Sequence, residues 1–368
     1  METTQQTAIN RILTRAAEYK ASDLHLSIGN PPIVRVDGKL KPLQDEKILD
    51  PEFIKKIADS FLTEEQKEIL EREKQVVMTY AFQNKARFKI NIFFQKGYLN
   101  ISLRLIPETI PELKVLGLPE SVNNFASLSK GLLIIAGPFG SGRTTTAFSL
   151  IDQINKSRAE HMVTIEKPIE YLVNNEKSIV EQREVGRDTK SFEQALNLTL
   201  KEDVNVVMVS EMDEPSVISA ALDVADSGRL LISLMNTDSV VKTVERIIES
   251  FPVDEQEAIR AKLADNLQGV LCQRLVPKAG GGRVAVAEVL IPNSAVRSII
   301  KDGDISQINN ILQTSRSEGM VSLDKSLSDL AKSGVISQDD AKKYAADKEN
   351  INNFLDGTDM SRGTVRPY

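Results

Sequence analysis

Residues 132–144 read LLIIAGPFGSGRT, a short apolar run that leads directly into a glycine-rich loop. The run predicts a buried strand, and Ala147, Ile151 and Ile154 predict the apolar face of a helix directly after the loop. Two glycines five residues apart, followed by a basic residue and a threonine, have the spacing of a phosphate-binding P-loop. In such a loop, backbone N–H groups turn toward phosphate oxygens and a hydroxyl can bind Mg²⁺. We therefore predict ATP and Mg²⁺ as cofactors, with Thr144 as a metal ligand. The predicted nucleotide-binding residues of the loop are Gly137, Gly140, Ser141, Gly142, Arg143, Thr144 and Thr145.

Position 143 departs from the usual motif, which has lysine there. A guanidinium is planar and bulkier than an ammonium group, so Arg143 is not a conservative replacement. A glycine turn that only resembles a P-loop is the weaker alternative, because strand and helix patterns flank the loop as the motif requires. A P-loop that binds nucleotide poorly or turns it over slowly is the stronger alternative.

The region around the loop alternates short apolar runs with helical patterns, which predicts an α/β fold with a largely parallel sheet. Ligands of such sheets bind at the carboxyl ends of the strands, where Glu166 and Glu211 each follow an apolar run. We predict that both are catalytic: one orients or deprotonates the attacking water, and the other binds Mg²⁺, with Glu166 as the second metal ligand. Acidic residues at strand ends also serve as helix caps. The predicted strands are 132–136, 162–165, 206–209, 230–234 and 284–291.

The first hundred residues have a different pattern. A helical stripe spans residues 7–20, and two alternating runs, 87–94 and 99–105, predict a hairpin that turns at Lys96 and Gly97. Arg87, Lys89 and Arg104 fall on its polar face, where they could reach an anion or simply face solvent. Prolines and a loss of periodicity between 107 and 119 predict a domain boundary. The predicted divisions are an N-terminal domain at 1–106, a linker at 107–119, an ATPase domain at 120–356 and a loose tail at 357–368.

Farther along the chain, Asp254 with Glu257 three residues later resembles a capping box. It predicts a helix whose apolar side extends through Leu267 to Leu271, with Cys272 packed on that side. Leu323, Leu327 and Leu330 followed by Gly334 predict another helix, and a further helix begins at residues 337–340.

Composition narrows the classes of function. The 368 residues contain 46 Lys and Arg against 52 Asp and Glu, a net charge of -6 that gives no basic field for nucleic acid. A single cysteine excludes an intramolecular disulfide and a cysteine-rich zinc site, and two histidines exclude a multi-histidine metal site. The start METTQQTAINRIL lacks the features of a signal peptide, and the apolar runs are too short to span a bilayer as helices. We therefore expect a cytoplasmic protein.

Further segments of the chain match the pattern of one family: 21–27, 31–38, 164–170, 183–186, 200–211, 226–239, 258–264, 282–285 and 317–330. They resemble the PilT/PilU branch of the secretion-type ATPases, the motors that retract bacterial type IV pili. The resemblance extends from about Ala21 to Leu355. It implies a PAS-like N-terminal α+β domain and a RecA-like ATPase domain with C-terminal helices, assembled as a hexameric ring docked at the inner-membrane base of a pilus. It also implies a platform protein of the inner membrane as partner, and Arg87 and Arg104 as arginines that approach the nucleotide phosphates.

The chain departs from the family pattern at several catalytic positions. Arg143 replaces the P-loop lysine, Lys167 an aspartate, and Arg229 and Asn236 the two histidines of the box at 226–239. Ser210 replaces the glycine before Glu211, and Asp213-Glu214 replaces Arg-Asp after it. Because the loss of one transition-state group commonly costs about 10²- to 10³-fold in rate, these changes predict reduced ATP hydrolysis. Arg229 would in part replace a histidine by placing charge near the γ-phosphate.

Three functions stay open on this sequence. The first is an ATP-hydrolysing retraction motor. The second is a weakly active or inactive paralogue that forms a ring with an active retraction ATPase. The third, an extension or secretion ATPase, is the weakest, because the cysteine-rich zinc insertion common in those members is absent.

Overall fold

The computed structural model describes residues 4–19, 21–82, 86–107 and 109–356, so the predicted tail at 357–368 lies outside the described residues. The chain divides into two compact units, each described by itself. The first contains the residues up to Thr109 together with Pro168–Leu172, and the second contains the rest. The division after Thr109 falls inside the predicted linker. That segment is not a free tether, because Leu113 is buried and the Ser149 hydroxyl donates to the Pro111 carbonyl at 2.7 Å.

The first unit is built on a six-stranded antiparallel sheet with strand order β3-β2-β1-β6-β5-β4. The stripe of α1, with Ile9, Ile12 and Leu13, is buried together with Phe88, Ile90 and other residues from one face of the sheet. The elements are α1 (Thr4–Glu18), β1 (Asp23–Leu26), β2 (Ile33–Val36), β3 (Lys39–Pro42), α2 (Pro51–Phe61), α3 (Glu64–Glu73), β4 (Gln75–Phe82), β5 (Ala86–Gln95) and β6 (Tyr98–Ile106).

The predicted hairpin is confirmed as β5 and β6. Lys96 and Gly97 both have positive φ, 52° and 82°, which is typical of a two-residue hairpin turn. On the polar face, Lys89 lies opposite Arg104, and Arg104 lies opposite Asp23 of β1. The basic face is therefore part of a row of charges that crosses the sheet.

The second unit contains a seven-stranded sheet with the order β13-β12-β7-β11-β10-β8-β9. All neighbours are parallel except β12 and β13, so the predicted parallel sheet is confirmed. Two 3₁₀ segments, Leu113–Leu116 and Glu120–Ser127, precede it. The elements are β7 (Gly131–Ala136), α4 (Arg143–Ser157), β8 (His161–Glu166), β9 (Ile179–Glu184), α5 (Phe192–Thr199), β10 (Val206–Val209), α6 (Pro215–Asp226), β11 (Leu230–Met235), α7 (Val240–Glu249), α8 (Gln256–Asn266), β12 (Leu267–Pro277), β13 (Arg283–Leu290), α9 (Ser294–Asp302), α10 (Ile308–Thr314), α11 (Leu323–Lys332), α12 (Gln338–Tyr344) and α13 (Lys348–Asp356).

The prediction of a long helix at this point of the chain is wrong. The helix expected through Leu271 ends at Asn266, and Leu267–Pro277 is strand β12, so Cys272 lies in a strand rather than on a helix. The expected cap at Asp254 is also wrong, because the residue before α8 is Glu255 and it makes no side-chain capping bond. The helices predicted after residue 322 are confirmed as α11 and α12, the latter capped by the Ser337 hydroxyl. Within the described ranges, every helix is too short or too polar to cross a bilayer.

Candidate nucleotide-binding site

The glycine-rich loop connects β7 to α4, as the motif requires. Gly137 leaves the strand with its N–H bonded to the Met235 carbonyl of β11 at 3.3 Å. The Ser141 N–H returns to the Pro138 carbonyl at 3.1 Å, and α4 begins at Arg143 after Gly142 with no side-chain cap on its first N–H groups. The loop thus brings an uncapped helix N-terminus to the carboxyl edge of a parallel sheet, which is the arrangement that favours a phosphate.

Two of the loop glycines cannot be replaced without displacing other atoms. A Cβ on Gly137, at φ 151°, would lie 2.4 Å from the Gln273 carbonyl oxygen and 2.5 Å from Ser141 Oγ. A Cβ on Gly142, at φ 91°, would lie 3.1 Å from Gln273 Nε2, which donates to the Ser141 carbonyl at 2.8 Å. Ser141 Oγ is buried and has no hydrogen-bond partner among the described residues. A compact backbone with an unsatisfied hydroxyl fits a phosphate group.

The side chains at the start of α4 fit the nucleotide and its cation. Thr144 is half-buried in the first turn, where its hydroxyl could bind Mg²⁺, and Thr145 follows it. In the described part of the chain, no three His, Cys, Asp or Glu side chains converge on a metal position. In nucleotide sites Mg²⁺ usually binds one or two protein oxygens together with phosphate oxygens. The Arg143 guanidinium lies 5.9 Å from the ring centroid of Phe139, a side chain that is 80% exposed.

Glu166 is the last residue of β8 and is only 1% exposed. Its Oε1 accepts from Thr164 Oγ1 at 2.7 Å and from Gln182 Nε2 of β9 at 3.0 Å. These donors fix the direction of the carboxylate at the edge of the sheet. A buried carboxylate that is held in this way suits a base or a metal ligand.

Glu211 lies at the same edge, two residues after β10, and its side chain is exposed. The Ser210 N–H donates to the Ile165 carbonyl at 2.9 Å, which extends the pairing of β10 with β8 beyond the end of β10. The sheet therefore brings together the P-loop, Glu166 and Glu211, as the sequence predicted. Their chemical roles stay predictions.

The structure does not bring Arg229 to this edge. Arg229 precedes β11, and its carbonyl accepts from the N–H of Gly131 at the start of β7. Six residues of strand, about 20 Å, separate it from the loop that follows β7. Its guanidinium donates to Ser227 Oγ at 2.8 Å and to the Glu202 carbonyl at 2.9 Å. The prediction that Arg229 binds the γ-phosphate is therefore wrong for the site of its own chain.

Asn236, at the other histidine position, follows β11 at the P-loop edge. It lines an open groove of about 550 Å³ together with Pro138 of the P-loop and residues of α7. Arg246 of α7 pairs with Asp213 at 3.2 Å and donates to the Asn236 carbonyl at 3.3 Å. The loops after β10 and β11 are thus joined through one arginine.

The two hairpin arginines have partners inside the first unit. Arg104 Nε pairs with Asp23 at 3.0 Å. Arg87 Nη2 makes long contacts, 3.4 Å each, to Thr79 Oγ1 and to the Ile169 carbonyl, while its Nε and Nη1 are buried without a partner in the described residues. Their predicted contact with phosphates stays a prediction.

Sequence reasoning missed two glutamines of the site, Gln182 and Gln273. Gln182 holds Glu166, and Gln273 holds the P-loop backbone. Gln182 directly precedes segment 183–186, which matched the family pattern, but no spacing rule points to an amide at position 182.

Comparison with known proteins identifies the family of this chain. The sequence profile of the type II/IV secretion system protein family matches residues 2–281. The type IV pilus retraction ATPase PilT of Pseudomonas aeruginosa is 34% identical over 343 residues, which cover 93% of this chain and 99% of the relative. The type IV pilus ATPase PilU of the same organism is 32% identical over 336 residues, which cover 91% of this chain and 88% of the relative.

A solved structure agrees with the sequences. The crystal structure of the pilus retraction motor PilT with bound ADP matches with a TM-score of 0.82 and 40% identity, over 94% of this chain and 99% of that one. The expected architecture, an N-terminal domain followed by a RecA-like ATPase domain, is thereby confirmed. The chain therefore belongs to the type II/IV secretion system protein family, and its relatives within that family include the type IV pilus retraction ATPase PilT and the type IV pilus ATPase PilU.

Proposed function

We propose that the chain is an ATP-hydrolysing motor subunit of a type IV pilus machine, which drives or assists pilus retraction and hence twitching motility. The observation that supports this best is the phosphate cradle. Gly137 packs against Gln273 and Ser141 too closely for any side chain, next to an uncapped helix N-terminus. Two relatives that share nearly the whole chain are the type IV pilus retraction ATPase PilT and the type IV pilus ATPase PilU.

In this proposal the loop backbone and Arg143 bind the phosphates of ATP, and the Thr144 hydroxyl holds Mg²⁺. Bound Mg²⁺ supplies charge that stabilises the transferring phosphoryl group. Glu166 holds the cation or its water through the carboxylate that Thr164 and Gln182 orient. Glu211, at the neighbouring strand end, orients or deprotonates the attacking water. Arg87 and Arg104 add positive charge toward the phosphates.

The assembly is proposed by analogy with the family. The subunits would form a hexameric ring in the cytoplasm, docked peripherally at the inner-membrane base of the pilus, with the platform protein as partner and no nucleic acid. Movement of the two units within each subunit, coupled to ATP, would be the mechanical output.

A second candidate function is a structural or regulatory partner of an active retraction ATPase, with hydrolysis reduced or lost. Arg143 and Asn236 lie at the P-loop edge, and Lys167 directly follows Glu166 at the same edge, so these three replacements can act on the chemistry. The retained Gly137, Thr144, Glu166 and Glu211 favour the motor.

The test is steady-state phosphate release by the purified protein with ATP and Mg²⁺, alongside binding of a fluorescent ADP analogue and a measurement of mass in solution. Turnover that Glu211→Gln reduces at least 100-fold, with ADP binding retained, supports the motor. Binding without turnover, with turnover gained in Arg143→Lys, supports the partner. Failure to bind any nucleotide contradicts both.

A further inference from the structure

After Lys167 the chain passes from the second unit to the first, and at Val173 it returns to the second. Pro168–Leu172, which we name the strap, belong to the first unit, whereas Lys167 and Val173 on either side belong to the second. Within the first unit, Lys89 Nζ donates to Glu170 Oε1 at 2.9 Å. These two side chains are 30% and 20% exposed, so the pair is partly shielded from water. The strap is thus fastened to strand β5 of the hairpin.

Gln182 of β9 binds the residue that follows the strap, Val173. Gln182 Oε1 accepts from the Val173 N–H at 2.9 Å, and its Nε2 donates to Glu166 Oε1 at 3.0 Å. A carboxylate can only accept and a backbone N–H can only donate, so the two bonds together permit one orientation of the amide. One side chain therefore connects the end of the strap to the buried carboxylate.

We propose that Gln182 is a positioning residue that couples the strap, and through it the hairpin of the first unit, to the carboxylate of Glu166. This inference rests on the proposed function, which gives Glu166 its role in ATP hydrolysis. A displacement of β5 moves Glu170 through Lys89. The backbone passes the displacement over three residues to the Val173 N–H, and Gln182 passes it to Glu166.

The carboxylate responds to Gln182 because it is 1% exposed and has no freedom to exchange a protein donor for bulk water. Misplacement of a catalytic group by about 1 Å can cost about 10²-fold in rate. The P-loop backbone is held by Gln273 instead, so nucleotide affinity is separable from the position of Glu166. Gln182 is expected to affect turnover and not ADP binding.

Three single variants and two double variants test the coupling. Gln182→Leu is expected to lower turnover about 10-fold while the Kd for ADP stays within twofold. Lys89→Met, which removes a partly exposed ion pair, is expected to lower turnover about threefold. Thr164→Val is the matched control, because it removes the other donor to Glu166 Oε1 from within the same strand. Lys89→Met should have no further effect in the Gln182→Leu background and its full effect in the Thr164→Val background.

Amide hydrogen exchange at Val173 gives a readout that needs no hydrolysis. Gln182→Leu removes the acceptor of the Val173 N–H, and Lys89→Met releases the strap from β5. Each variant is therefore expected to raise the exchange rate of the Val173 amide at least threefold. Lys56→Met, which removes the exposed pair with Glu52 in the same unit, should leave it unchanged. Gln182→Asn, whose side chain is one methylene shorter, is expected to repeat the effects of the leucine variant.

The inference is overturned if Lys89→Met accelerates exchange in Ile169–Leu172 but leaves Val173 at its wild-type rate. It is also overturned if the double variant Lys89→Met/Gln182→Leu lowers turnover by the product of the two single effects. If the wild-type protein binds ADP but does not hydrolyse ATP, the motor function fails. Exchange at Val173 then still decides whether the strap is coupled to Gln182.

Discussion

The two edges of the seven-stranded sheet differ in the hydrogen-bond partners of their polar groups. At the amino edge, the guanidinium of Arg229 is bonded to Ser227 and Glu202, and that of Arg158 is paired with Glu160. At the carboxyl edge, the P-loop has glycines in place of side chains, and Ser141 Oγ is buried without a partner in the described residues. At the amino edge both guanidinium groups are bonded within the chain, although Arg229 Nε is buried without a partner in the described residues. At the carboxyl edge, the Ser141 hydroxyl lies beside an uncapped helix N-terminus, where a phosphate can bond to it.

The comparison teaches that motif membership does not decide which residues form a site. Arg229 and Asn236 belong to one motif and lie at opposite ends of the same strand, β11. Only Asn236 lies at the edge of the P-loop. Of the two histidine replacements in this motif, only Asn236 is therefore placed to act directly on the P-loop of its own chain.

The largest effect is expected from the arginine of the P-loop. Arg143→Ala removes a charge from the first turn of α4 and should lower kcat/KM for ATP about 10²- to 10³-fold. Steady-state phosphate release over a range of ATP concentrations measures the change. An Arg143→Ala protein with wild-type kcat/KM would mean that the Arg143 side chain takes no part in the chemistry.

The next effect is on nucleotide affinity. Gly137→Ala places a methyl group 2.4 Å from the Gln273 carbonyl oxygen, so the loop must shift away from the phosphates. We expect the Kd for ADP to rise about 10-fold or more, which titration calorimetry measures. Gly280→Ala is the control, because a Cβ there has no neighbour within 4 Å and φ is not positive. Equal affinity in both variants would contradict the cradle.

Arg229→Ala should lower the stability of the fold and leave ATP turnover nearly unchanged. The loss of two hydrogen bonds at the amino edge is expected to cost about 1–2 kcal/mol in the free energy of unfolding, while ATP turnover per folded monomer stays within twofold. Urea denaturation and phosphate release measure the two quantities. In an assembled ring, a loss of turnover that exceeds the loss of folded protein would show that Arg229 acts on a neighbouring subunit's site.

The sequence was sufficient for the parts of the fold whose patterns are unambiguous. The hairpin alternates because one of its faces holds most of the buried apolar residues, and the P-loop combines spacing with a flanking strand and helix. Leu267–Leu271 was assigned to a helix because apolar residues there fit helical spacing, yet the segment is a strand with both faces largely covered. A run that is buried on both faces has no period of two, so periodicity alone cannot separate it from a buried helix.

The residues of the candidate site, like the elements of the fold, were only partly predictable from the sequence. Glu166 and Glu211 were found because strand ends in a parallel sheet share an edge. Arg229 was misplaced because the family motif joins it to Asn236, although it directly precedes the predicted strand 230–234 and therefore lies at the amino end of that strand. Gln273 was missed because it reaches Ser141 from 132 positions away in the chain, through the pairing of β12 with β7. Such contacts become visible only once the strand order is known.

The smallest expected effect concerns Glu288, which connects the carboxyl edge to α7. It lies opposite Cys272 on β13, and its Oε2 accepts from the Val240 N–H at 2.7 Å. Burial raises the pKa of the Glu288 carboxyl above its ordinary value of 4.5, although the Val240 N–H opposes the shift. The unfolded chain therefore loses its proton at a lower pH than the folded protein, and the stability contributed by this group falls as pH rises from about 4.5 through the folded pKa.

Glu288→Gln removes this ionisation and keeps an oxygen that can accept from Val240. We expect the unfolding free energy of the variant, relative to wild type, to increase as the pH of urea denaturation rises from 4.5 to 7. Glu257→Gln, at an exposed position on α8, should show the pH dependence of wild type. If the Glu288→Gln difference instead decreases with pH, the carboxylate is stabilised in its charged form. The carboxyl edge would then contain a cationic or donor environment at α7 in addition to the phosphate cradle.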